Sequence, residues 1–177
     1  MSVPLPAISV TEILADKVSA LRLGNIPSPV RERAEQLLID VVGLCIAARH
    51  TDYMQALVGA VDNGGPCTAI GHPTGFSAED AALINGTATH GEDFDDTFEG
   101  GPVHSSAVVI PAVLAAAERF GRDGPAALLG IVAGIEATCR LSMVIPKAIH
   151  KSGFHPTSVL GTIGGTLAVS KAMGLNR

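Results

Sequence analysis

Aromatic side chains are nearly missing from this chain: five Phe, one Tyr and no Trp in 177 residues. That excludes a core of stacked rings and leaves the interior to Ala, Gly, Val, Leu and Ile, whose small size lets helix backbones approach closely. Charge is scarce too, at 16% of residues, with a balance of −5 and only twelve Lys and Arg, which are scattered. A nucleic-acid partner needs a basic face to neutralise phosphate, so none is expected. The three cysteines, Cys45, Cys67 and Cys139, stand singly, with no CxxC spacing; this predicts no disulfide framework but buried, reduced thiols in a cytoplasmic protein. MSVPLPAISV at the start lacks a basic segment followed by an apolar one, so no signal peptide is expected. Nor is there an uninterrupted apolar run of about 20 residues, and no membrane span is expected.

What is present is helical. The length suits one domain with a core large enough to fold without staples. Ser28 followed by Pro29 reads as an N-cap and first helical residue, and Val30, Ala34, Leu37, Leu38, Val41, Val42, Cys45 and Ile46 recur at helical spacing, predicting a helix over 29–49. Val10 to Leu23 and Asp52 to Val61 read as two more. The breaker-rich NGGPCTAIGHPTG, 63–75, predicts a loop with at most a short extended piece at CTAI. Ser77 and Asp80 predict the start of a helix to about Thr89. Further helices are expected over 105–121, with a serine cap, a kink or late start at Pro111 and a stop at Gly121; over Pro125 to Val144, apolar nearly all round and hence buried; and over 157–173, opened by His155-Pro156 and closed by Gly174. Gly161, Gly164 and Gly165 inside the last helix each cost about 1 kcal/mol against Ala, so another element must press against that face. No strand alternation and no fixed-period repeat appear. The predicted class is mainly α, a helical-bundle-like single domain over 1–177.

HGEDFDDTFEGGPVHSS, residues 90–106, gathers five carboxylates and two histidines into seventeen positions. DFDDT, 93–97, matches a phosphatase nucleophile signature, but that chemistry needs a buried strand upstream, where NGTATHGE stands instead. DDTFE, 95–99, matches the magnesium motif of helical isoprenoid synthases, but a carbocation cavity is lined by aromatic rings, and the following GGP would break the helix. The third reading takes NGTATHGEDFDDT, HSSAVVIPAVLAAAE and GFHPTSVLGTIGGTLAVSKAMGLN together. Three blocks in register from about Ser9 onward resemble the MmgE/PrpD family, which includes 2-methylcitrate dehydratase, cis-aconitate decarboxylase and iminodisuccinate epimerase.

The resemblance implies an active site lined by Asp93, Thr97, His104 and His155, a helical domain that is the N-terminal part of a longer two-domain enzyme, no cofactor and no metal. It implies a lyase acting on a small di- or tricarboxylate by proton transfer next to a carboxylate, with loss of water or carbon dioxide; an epimerase, or a truncated helical assembly module without activity, are the alternatives. Two imidazoles on different loops suit such chemistry, because they exchange protons near neutral pH. His104 and His155 are thus the expected proton-transfer or carboxylate-binding groups, with Asp93 or Asp96 orienting an imidazole, and Thr97 and Asp96 on substrate. His150 and Lys151 are the nearby groups expected to tune binding of the acid. His50 and His72 are read as structural. Phe94, an apolar ring flanked by acids, is expected to pin the segment into the core and leave Asp93 and Asp95 facing elsewhere. A homodimer is expected, since a chain lacking the second part of such a fold would expose an apolar face.

Overall fold

A computed structural model describes residues 8–175; most of the N-terminal stretch read for a signal peptide, and the last two residues, lie outside them. Among the described residues eight α-helices follow one another: α1 Val10–Ala20, α2 Ser28–Ala48, α3 Asp52–Ala60, α4 Ala78–His90, α5 Ser105–Phe120, α6 Gly124–Val144, α7 Ala148–Lys151 and α8 Pro156–Met173. The chain is mainly α, as the periodicity predicts. Between α3 and α4 lies a small antiparallel pair, β1 Asn63–Thr68 and β2 Gly75–Phe76, with an irregular register between Asn63 and Cys67. The sequence suggested only a short extended piece at CTAI; the strand begins four residues earlier, and Gly65 lies so close to the Phe76 backbone that no side chain fits there.

α5 is the central element, packing on α4, α6, α8, α2 and β1. Ten of its sixteen residues are buried, including Ser105 and Ser106 at its start. Pro111 neither delays nor ends it. Proline withholds one N–H and so leaves the Ala107 carbonyl without its helical partner; that oxygen faces Gly86 of α4, 3.2 Å from where a Cβ there would stand. The glycines of α8 do press against neighbours: Gly164 against the Thr138 hydroxyl of α6, and Gly161 against Val108 of α5, which would stand 2.9 Å from a Cβ placed there. Gly130 and Gly134 on α6 return the contact, with Cβ positions 2.6 Å from the Ala168 carbonyl and 2.5 Å from the Ala168 methyl. Small residues on both helices allow the close backbone approach that the shortage of rings foreshadows.

Some local expectations fail for identifiable reasons. α1 stops at Ala20, and a 3-10 turn over Leu23–Asn25 with extended residues on either side leads to Pro27. Pro27, not Ser28, holds the cap position of α2, and no side chain caps that end. Gly121 and Gly174 do close α5 and α8 in left-handed conformations, φ 62° and 71°. Cys45 and Cys67 are buried, whereas Cys139 is half-buried; burial pushes all three thiols up from their ordinary range, which keeps them protonated and unreactive. Among the described residues α6 is the one helix long and apolar enough to cross a membrane, with mean hydropathy 1.6 over its best window. It packs against α8, α5 and α2, but only nine of its twenty-one residues are buried, so the burial expected from its apolar sequence holds for one side of the helix and not all round, and Met143 and Val144 at its end stay exposed.

Candidate active site

Three helix ends meet at one place. His90 is the last residue of α4, His104 the N-cap of α5 and His155 the N-cap of α8. Their ring centroids form a triangle with sides of 4.8, 5.4 and 6.0 Å, the His90 and His155 rings being stacked. The two loops expected to carry imidazoles toward a common point do so. A direct bond ties them: the backbone N–H of His104 donates to Thr157 Oγ1 in the first turn of α8, at 3.0 Å.

Local chemistry explains how the chain reaches this arrangement. After α4 the Asp93 N–H donates back to the His90 carbonyl at 3.0 Å, and Asp93 takes a positive φ of 56°, a region aspartate tolerates better than most residues. Tyr53 of α3 lies against Gly91 so closely that a Cβ would collide with it, and its hydroxyl donates to Glu92 at 3.0 Å. The EGGPV loop folds into a tight turn through a Phe98–Val103 bridge, with Gly101 pressed onto Ser142 of α6. That turn delivers His104 to the start of α5.

The acids divide into three tasks. Asp95 is buried, its side chain entirely so, with its oxygens 3.0 and 3.1 Å from His90 Nδ1 and Oδ1 3.4 Å from His104 Nδ1. Asp96 serves the start of α5: it accepts from the Ser105 hydroxyl and the Ser106 N–H, both at 3.0 Å, and from the Ser106 hydroxyl. A carboxylate at a helix N-terminus satisfies free N–H groups and the helix dipole, so Ser105 is held by Asp96 and does not itself cap. Asp93 stays open to solvent, 79% exposed at the side chain, with Oδ1 3.7 Å from His104 Nε2. Thr97 Oγ1 lies 3.5 Å from His104 Nδ1.

The expectation for Phe94 is wrong. Its ring is 79% exposed, and the side chain that pins the turn inward is Asp95. A carboxylate can take the buried place because two imidazoles meet it there, and a buried charge is tolerated when it is paired and hydrogen-bonded. Burial of its ring, helped by electrostatic repulsion from the imidazoles of His90, His104 and His150, pulls the His155 imidazole below its ordinary value, with Asp93 acting the other way. His150, in α7, therefore lies within electrostatic reach of the site. Lys151 is exposed, and no described hydrogen bond or ion pair joins it to the imidazoles. One ligand atom each from His90, Asp93, Asp95 and His104 falls within 4.8 Å of the others, a spacing a small cation would accept. The hydrogen bonds just described account for the same closeness.

His90 and Asp95 had no role in the sequence reading. The signal was there in part, since His90 opens the acidic stretch and the helix before it was expected to run to about Thr89, as it does to within a residue; what the sequence could not give is that the chain then turns back and brings Asp95 against the His90 ring. His50 and His72 line a separate hollow beside Arg49 and Gln55. A larger cavity of about 850 Å³, lined by residues such as Leu14, Leu21, Ile26, Leu37 and Val132, lies between α1, α2 and α6, away from the imidazoles.

The MmgE/PrpD N-terminal domain model matches residues 12–177. The chain is 31% identical to a human cis-aconitate decarboxylase over 95% of its own length and 37% of that protein's. It is 30% identical to the Aspergillus terreus cis-aconitate decarboxylase over 94% of this chain and 36% of that one. Against a cis-aconitate decarboxylase-like protein of Aspergillus oryzae it is 29% identical over 97% of this chain and 38% of that one. The chain thus spans well under half the length of these relatives.

Proposed function

The chain belongs to the MmgE/PrpD family, and from that premise we propose that it contributes to a lyase site for a small di- or tricarboxylate, with decarboxylation of a cis-aconitate-like acid as the reaction. The observation that carries this reading is the meeting of His104 and His155 at the N-termini of α5 and α8, together with relatives that bear the decarboxylase name. Loss of carbon dioxide leaves an electron pair on carbon, which must be quenched by a proton; imidazole is the side chain suited to deliver it near neutral pH.

His104 and His155 take part in proton transfer. Asp93 orients the His104 ring through Nε2, and Thr97 hydrogen-bonds a substrate carboxylate. The start of α8 offers N–H groups and a positive dipole end to another carboxylate. Asp96, assigned to substrate from the sequence, acts instead by fixing the start of α5 and so the place of His104. Lys151 brings positive charge toward the acid, and His150 lies within electrostatic reach of the site. No metal is required in this scheme.

The test is turnover of polycarboxylates by the complete protein. His104→Ala and His155→Ala, made separately, are each expected to lower kcat by about 10²–10⁴-fold. Turnover near wild type in both would remove the two imidazoles from the mechanism. Full activity after dialysis against EDTA is also expected; strict dependence on a divalent cation would return the acidic cluster to metal chemistry.

A further inference from the structure

We propose that His90 and Asp95 form a proton-transfer dyad of this site, with the buried Asp95 carboxylate holding the His90 ring as its Nδ1–H tautomer so that Nε2 faces the bound organic acid. The inference rests on the lyase reading above and adds a third imidazole to it. An ionised carboxylate can only accept hydrogen bonds, so the ring nitrogen between its two oxygens, at 3.0 and 3.1 Å, is the donor. Asp95 has no exposed side-chain surface, whereas 35% of the His90 side chain is open. The buried edge of the ring is therefore the Nδ1 edge, and the open part is the one that carries Nε2.

The ring lies beside the other two imidazoles, 4.8 Å from His104 and 5.4 Å from His155 between centroids. A base whose far nitrogen is fixed by a buried carboxylate has the geometry by which enzymes keep an imidazole in one tautomer. Before the decarboxylation, Nε2 takes up a proton from water, releasing hydroxide to solvent and making the His90 ring an imidazolium. When carbon dioxide departs, the electron pair of the broken C–C bond stays on the carbon skeleton, and the Nε2 proton passes to it, leaving His90 neutral.

A purely structural role, His90 serving only to satisfy Asp95, predicts different behaviour from one substitution. In His90→Asn the amide N–H can stand in for Nδ1–H and keep Asp95 paired, but nothing replaces Nε2. The dyad predicts that the complete protein carrying His90→Asn folds normally, with KM for the acid little changed and kcat lower by about 100-fold or more. Turnover near wild type would overturn the proposal. Nitrogen NMR of the complete protein labelled at histidine reads the same question without catalysis. His90 is expected with its proton on Nδ1, and added citrate is expected to move its Nε2 resonance. A proton on Nε2 instead, or a His90 ring indifferent to citrate, would overturn the dyad. A wild-type protein that turns over no polycarboxylate would defeat the lyase reading, and the NMR result would then decide the dyad alone.

Discussion

At the scale of single residues, His155 makes the most definite claim about pH. Burial of its ring, then electrostatic repulsion from the neighbouring imidazoles of His90, His104 and His150, hold its proton affinity down, and Asp93 partly restores it. Its titration in the folded protein should centre below the ordinary 6.5, so that at neutral pH the resting ring is no fixed cation for a carboxylate and must take up a proton before it can deliver one. Proton NMR should show that midpoint rising in His104→Gln and falling in Asp93→Asn; a midpoint unmoved by either change would mean that the rings do not sense one another. The linkage has a definite sign. Because the folded value lies below the unfolded one, the unfolded chain binds more protons in the window between them, and stability rises with pH across it and is flat above about 6.5. Phe94 and Asp95 carry the other lesson at this scale. Hydropathy put the ring inside and the acids outside, whereas the fold buries Asp95, because its partners His90 and His104 lie five and nine positions away on elements whose directions no local pattern encodes.

At the scale of elements, the helices were legible because apolar residues recur at helical spacing and because Gly121 and Gly174 stop α5 and α8. Their starts were harder to read. The hydroxyls of Ser105 and Ser106 reach for Asp96, a long-range partner, and Pro27 takes the place expected for Ser28. The β1–β2 pair was not legible at all as a pair, since its register depends on a backbone contact between Gly65 and Phe76. The glycines of α8 were rightly read as a close-contact face, and the structure separates them. Gly164→Ala would drive a methyl into the buried Thr138 hydroxyl, which itself donates to the Gly134 carbonyl at 2.8 Å; a loss of about 1–3 kcal/mol is expected. Gly165→Ala meets only Val108, at 3.6 Å, and gains helix propensity of up to about 1 kcal/mol, so it should be neutral or stabilising. Denaturant melts of the two variants check this, and equal losses in both would contradict the packing described for α6 and α8.

At the scale of the whole molecule, the family and the helical class were legible from three sequence blocks in register, because each block holds residues that the fold brings to one place. The arrangement of charge was less so. The net charge is −5, and within the site Asp93 and Asp95 lie close to imidazoles, so the acid of the proposed reaction finds its positive partners in Lys151 and the helix N-termini. Salt should therefore weaken binding of the acid to the complete protein, with KM rising as ionic strength grows and kcat nearly constant; a KM indifferent to salt would argue that binding rests on hydrogen bonds and shape. The most direct measurement of the central claim is a crystal structure of the complete protein with citrate bound. The account predicts a citrate carboxylate within about 3 Å of His104 or His155, with Thr97 and the start of α8 beside it. Citrate bound elsewhere, with these imidazoles untouched, would contradict it.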